Sequence, residues 1–279
     1  MSAVPQSGEY AERRVRAPFL YRRGGVWTVR VVTLAVLLGT WEIYARHQPR
    51  ALNAPPSAIA KAFWDLLQHA AIYNNLWSSM QALLLGFLLS FAIGIPVGIL
   101  MGRWKSVEWV LDPYVSFFYG LPHVVFIPAM VVWFGFELKF RLLYVLVSAI
   151  WPFIINVMAG VRAIDDELLM TAKGFCATER QTLRTVVVPA IIPFVVAAVR
   201  QALALCWVAA VVSEILSTQT GIGGMLTHFG TEFRTAYMFV PVIIISVIAV
   251  IIQGVAAQLQ TRLAPWSDGN AGGAGGRQI

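Results

Sequence analysis

The sequence predicts an all-α membrane protein: six transmembrane helices, with one long polar segment between the fourth and the fifth. Two observations carry this expectation. The chain has 279 residues, of which 58% are hydrophobic and only 13% charged, about half the charged share of a soluble domain. Such a chain is best solvated by lipid. Apolar runs also recur along it at close to the length a helix needs to cross a bilayer, about 20 residues.

The elements follow in chain order. Residues 1–26 form an arginine-rich segment that belongs on the cytoplasmic side. Glu9 and Glu12 stand among its arginines before any apolar run, so it does not read as a cleavable signal peptide. The first transmembrane helix is placed at 27–46, with Glu42 tolerated near its end. Residues 53–75 read as an outer interfacial helix, too short and too charged to span. Ser57 is its expected cap, with Ala60, Phe63, Trp64 and Leu67 on one side. The transmembrane core occupies 76–262, with helices near 78–101, 113–135, 141–161, 187–212 and 238–259. Pro122 and Pro128 predict kinks in the third span. Residues 263–279, with the run GNAGGAGG, read as a flexible cytoplasmic tail.

The basic residues orient this arrangement. Arg13, Arg14, Arg16, Arg22, Arg23 and Arg30 precede or open the first span. Arg103, Lys105, Arg162, Lys173, Arg180, Arg184, Arg262 and Arg277 fall on the same side of a six-span chain. Arg46, Arg50, Lys61, Lys139, Arg141 and Arg234 fall on the other. The excess places both termini in the cytoplasm, in a plasma (bacterial inner) membrane, and favours an even number of spans. The formal net charge of +7 does not indicate a nucleic-acid partner, because the basic residues flank apolar segments rather than line one face.

Enzymatic chemistry finds no foothold. There is no G-x-x-x-x-G-K-[ST] loop, no H-E-x-x-H, no paired-cysteine metal spacing and no G-x-S-x-G elbow. No metal site or cofactor is expected on this chain. Cys176 and Cys206 read as small apolar fillers, and the glycines of GIGGM as a tight turn. His123, inside the third span, either faces a pathway or packs at the helix kink.

The polar segment 163–184 reads as a helix. Asp165 and Asp166 cap its start. Leu168, Leu169, Ala172, Phe175 and Cys176 recur at three- and four-residue spacing, while Lys173, Glu179 and Arg180 stay polar. Its apolar face needs a partner, either its own bundle, the lipid surface or another protein.

This segment resembles the cytoplasmic EAA loop of permease subunits of ABC importers. In that frame the E-A-A positions fall on Met170, Thr171 and Ala172. The Gly falls on Cys176, and the closing L-P on Val188-Pro189. Other stretches resemble the subgroup that carries sulfonates, taurine, nitrate and related compounds. LNAPPSAIAKAF matches its segment before the second span. LDPYVSFFYGLPHVVFIPAMVVWFG matches its third, with Asp112, Pro113, Pro122, Pro128, Trp133, Phe134 and Gly135 in place. Asn156, Gly160, Val161 and Arg162 match its N-x-x-x-G-V-R. Arg200, Trp207, Glu214, Gly221 and Gly223 match the fifth span and the turn after it. The resemblance covers roughly residues 50 to 265.

The resemblance implies a type I importer permease that forms the pathway for a small solute. A sulfonate, taurine, nitrate or related organic anion is favoured, and a pyrimidine-like or aromatic compound is the alternative. It implies a coupling helix (Leu168, Leu169, Met170, Thr171, Ala172, Lys173, Phe175, Cys176 and Arg180) docked on a separate ATPase subunit dimer. That dimer holds the ATP and Mg. An extracellular or periplasmic solute-binding protein delivers the solute, and a second permease copy completes a homodimer. Arg200, Trp207, Glu214 and His123 are the pathway candidates. Arg200 lies about 16 Å along the helix from Pro189, near the bilayer midplane, where a charge marks either a pathway or a buried pair. Many subgroup members carry a second arginine at the position of Leu205. With Cys176 where the family has Gly, the usual Gly turn is not expected to form. A self-contained channel or secondary transporter is the reading from another class. It would need intramembrane carboxylates or an inverted repeat, and neither is evident in the sequence.

Overall fold

The computed structural model describes residues 23–49, 51–217 and 220–263. The N-terminal segment 1–22 and the tail from 264 lie outside them. The chain divides into two compact units, Met1–Ala58 and Ile59–Ile279. Among the described residues all regular structure is helical. Five stretches are long and apolar enough to cross a membrane, or six if one bent pair counts as a single span.

In the first unit, helix α1 (Arg23–Arg46) is apolar along most of its length. Glu42 near its end accepts from Arg46 Nε at 2.7 Å, from the Ser57 amide at 3.0 Å and from the Ser57 hydroxyl at 2.7 Å. Ser57 therefore does not cap the following helix, which starts at Pro56. Both of its donors go back to Glu42.

In the second unit, α2 (Pro56–Leu67) buries Ile59, Ala62 and Leu66 and leaves Ala60 and Trp64 exposed. The buried face is rotated from the one the sequence suggests. Helix α3 then begins at Ala70 and runs to Arg103. The expected single piece 53–75 is thus split at residues 68–69, and the first turns of α3 precede the apolar run that begins near residue 78.

Helix α3 packs along α6 (Leu138–Arg162) through a comb of small residues. Gly86, Ser90, Gly94, Gly98 and Gly102 stand four apart, so they form one ridge. A Cβ at any of these glycines would press into Val145, Phe153, Val157 or Val161 of α6. Their absence lets the two backbones approach, which is how membrane helices gain packing contacts when lipid offers no hydrophobic drive. Ser90 Oγ bonds its own Gly86 carbonyl at 2.7 Å. The core closes with α9 (Val188–Ser217), whose Ala198, Ala202, Cys206 and Ala210 lie fully buried against Phe140, Val145 and Phe153.

The stretch expected as one span at 113–135 is two helices. α4 (Lys105–Gly120) and α5 (Ile127–Phe134) meet at 91° across a short 3₁₀ turn at His123–Phe126. Pro122 forces Leu121 into extended backbone (φ −78°, ψ 138°), and a residue before proline is disfavoured in the helical region. A second irregularity opens α9. Residues Leu183–Val187 form a π turn just ahead of Pro189, which has no amide proton to give the Thr185 carbonyl. α7 (Asp166–Gly174) and α8 (Glu179–Thr182) precede it, and α10 (Gly221–Thr231) and α11 (Thr235–Leu263) follow.

Candidate functional site

Helix α7 carries the coupling residues that the resemblance implies. Asp165 caps its N-terminus, accepting from the Glu167 amide at 2.9 Å, and Asp166 and Glu167 complement the dipole there. The C-terminus closes in a Schellman motif: the Cys176 amide donates to the Lys173 carbonyl at 2.8 Å, and the Ala177 amide to the Ala172 carbonyl at 3.0 Å. Cys176 holds φ +55°, so the turn that family glycine makes elsewhere is made here by a cysteine. This corrects the expectation that the turn would be lost.

The apolar residues of α7 do not share one face. Leu169 packs onto the cluster of Val157, Val161, Val187 and Ile191, and Ala172 is half-buried. Leu168, Met170, Thr171, Lys173, Cys176 and Arg180 are exposed, and Phe175 is 83% exposed. Leu168, Thr171 and Phe175 fall at three- and four-residue spacing and form an outward stripe. Ion pairs tie down the elements on either side of it: α8 to α3 through Glu179 and Arg103 at 3.0 Å, and the end of α6 to α4 through Arg162 and Glu108.

The left-handed backbone at Cys176 costs a non-glycine residue about 1–2 kcal/mol. Cys176→Gly is expected to stabilise the end of α7 by about 1 kcal/mol after the extra chain entropy of glycine is charged against it. Slower hydrogen exchange at the amides of residues 176 and 177 checks this, and faster exchange would remove the strain argument.

The four pathway candidates separate. Glu214 is fully buried and is held by three groups. Ser79 Oγ lies 2.7 and 2.8 Å from its two oxygens, Arg141 Nη1 donates at 3.2 Å and the Gly223 amide at 3.0 Å. The Ile222 amide donates to Ser79 Oγ at 3.0 Å and the Gly221 amide to Asn75 Oδ1 at 2.7 Å. Side chains of α3 and α9 thereby satisfy the first amides of α10, which has no side-chain cap of its own at Thr220. Arg141, counted above as a loop charge, is only 5% exposed and belongs to this network. Trp207 is buried in the core, and its indole N–H donates to the Ile245 carbonyl at 3.2 Å. Arg200 is exposed and donates to Gln260 Oε1 of α11 at 2.9 Å.

Of the four, His123 lines a cavity. This cavity has a volume of about 490 Å³ and lies among the end of α4, the 3₁₀ turn, α6 and α9. Tyr119, His123, Tyr144, Ser148 and Gln201 supply its polar groups, and Leu205 and Val208 are part of its apolar wall. Asn156 Nδ2 fixes the Gln201 amide oxygen at 3.2 Å. The His123 ring stacks with Trp151 (centroids 6.4 Å, 14°) and bonds the Phe118 main chain, while its Nε2 is buried without a partner. The lining residues besides His123 and Leu205 escaped the sequence reading because each is a common type in an apolar helix. Only the break at Pro122 hinted that a pocket opens there.

Residues 94–265 match the family described as binding-protein-dependent transport system inner membrane component. The chain belongs to this family. Its relatives include an aliphatic sulfonates transport permease protein, SsuC, of Bacillus subtilis (strain 168), 26% identical over 88% of this chain and 90% of that protein. They also include the taurine transport system permease protein TauC of Escherichia coli (strain K12), 28% identical over 86% of this chain and 90% of that one. The fold is similar to the MetNI methionine ABC transporter in inward-facing conformations (TM-score 0.61, 18% identity, 70% of this chain and 96% of that chain). It is also similar to a bacterial ABC transporter that imports alginate (TM-score 0.64, 15% identity, 88% of this chain and 98% of that chain). The protein is thus an inner-membrane component of a binding-protein-dependent transport system, with the fold of an ABC importer permease.

Proposed function

We propose that this permease subunit forms the solute pathway of an ATP-driven importer and takes its motion from an ATPase docked on α7. The observation that carries the proposal is the outward stripe of Leu168, Thr171 and Phe175 on a short helix capped at both ends and packed onto the core through Leu169. A rigid, apolar-faced lever of this kind transmits a push from a partner to the spans. ATP and Mg bind the partner ATPase dimer, and this chain does no hydrolysis. A solute-binding protein delivers cargo at the outer side, a second copy of the chain completes the assembly, and both termini lie in the cytoplasm. The names of the two relatives support a small organic sulfonate as the solute.

Purification of the tagged chain from its own host tests the proposal. An untagged ATPase is expected to accompany it, with ATP turnover that rises when the binding protein is added. A stable transporter isolated free of any ATPase would sink it.

A further inference from the structure

We propose that the 490 Å³ cavity beside His123 is a subsite for a planar aromatic ring carried by the transported solute. The proposal rests on the importer reading above. It starts from charge. No Lys, Arg, Asp or Glu is among the residues that line the cavity. Arg200 is next in sequence to the lining residue Gln201, but its guanidinium points to Gln260 of α11 and is not part of the lining. Arg141 and Glu214 are committed to each other. An ion held in a low-dielectric cavity without a counter-charge pays a desolvation cost of several kcal/mol. Recognition here therefore does not run through a fixed ion pair.

The lining offers rings instead. Tyr119, Tyr144 and His123 contribute three aromatic groups, and Leu205 and Val208 form an aliphatic wall. The His123 ring is fixed in advance by its stack on Trp151, which itself stacks on Phe118 at 6.0 Å and 9°. Ring faces held this way favour another ring, stacked or edge-on. The volume falls within the roughly 300–1,000 Å³ of sites for organic molecules, where a few placed polar groups set orientation. Ser148 and Gln201 are such groups. Two sources share this chemistry, an aryl sulfonate and an uncharged heterocycle of the pyrimidine kind.

The test is saturation-transfer NMR on the purified permease–ATPase complex without binding protein, using benzenesulfonate, cytosine and ethanesulfonate separately. Transfer is expected to the ring protons of benzenesulfonate, cytosine or both, and not to ethanesulfonate. It should fall about fivefold in Val208→Trp, which fills the cavity, and in Tyr119→Leu, which removes one aromatic pair. Transfer to benzenesulfonate alone supports an aryl sulfonate, to cytosine alone an uncharged heterocycle, and to both a site that reads the ring by itself. Transfer to ethanesulfonate as strong as to benzenesulfonate overturns the proposal. So does the absence of ring transfer, or ring transfer that both variants leave unchanged. A complex that retains its ATPase but shows no ring transfer removes only the subsite. A chain that brings no ATPase removes the importer reading itself.

Discussion

Gly221→Ala is expected to unfold the end of the bundle around Glu214, at a cost of about 4 kcal/mol. Two effects add. Gly221 sits at φ +88°, where an L side chain is strained. A Cβ there would also overlap the Glu214 carboxyl group. That carboxyl cannot retreat without leaving the donors from Ser79, Arg141 and Gly223, and a buried group that loses its partner is strongly destabilising. Thermal unfolding in detergent, followed by size-exclusion profile, reads the effect. Gly254→Ala serves as control, since nothing lies within 4 Å of a Cβ there. Glu214→Ala should itself be costly, because Arg141 is then buried alone. The double variant should nevertheless cost clearly less than the sum, since both changes act on one carboxyl. Additive losses would show that the overlap is not the cause.

This network also shows where the sequence is legible and where it is not. Lipid sets the length of a spanning segment, so four of the long helices stand out as uncharged or nearly uncharged runs. Lipid does not say which side of such a helix packs inward, because a helix apolar all round carries no moment to read. The comb on α3 is a sequence signal of the kind that does survive, five small residues spaced by four, and it becomes meaningful only beside Val145 and Val157 of α6. Arg141 misleads for a different reason. Near a span end a basic residue reads as a loop charge, yet here the chain spends it on Glu214, a partner 73 positions away. Pro122 signals a break, and the 91° turn follows from it, but the cavity that the turn opens depends on Tyr144 and Gln201 from elements far along the chain. The coupling segment was legible through its caps and its proline. Its division into an inward side at Leu169 and an outward side at Phe175 was not, since both are large and apolar and composition does not say which one meets the core.

Phe175→Asp is expected to detach the ATPase while leaving the permease folded. Phe175 is 83% exposed and caps the C-terminal end of α7. The Schellman turn at Cys176 holds it in place rather than any side-chain packing. An exposed phenylalanine on an ordered backbone costs little entropy to dock, and its full burial contributes about 1.5–3 kcal/mol. A carboxylate at that contact adds a desolvation penalty on docking, so roughly 100-fold weaker association is expected, near 3 kcal/mol. The ratio of copurified ATPase to permease measures it, and the thermal midpoint of the isolated permease should stay unchanged. Leu169→Asp gives the contrast. Leu169 packs onto Val161 and Ile191, so a charge there should lower the midpoint of the permease itself. Were Phe175→Asp to retain a normal ATPase ratio, α7 would no longer be the docking lever, and the exposed stripe of Leu168, Thr171 and Phe175 would need another partner.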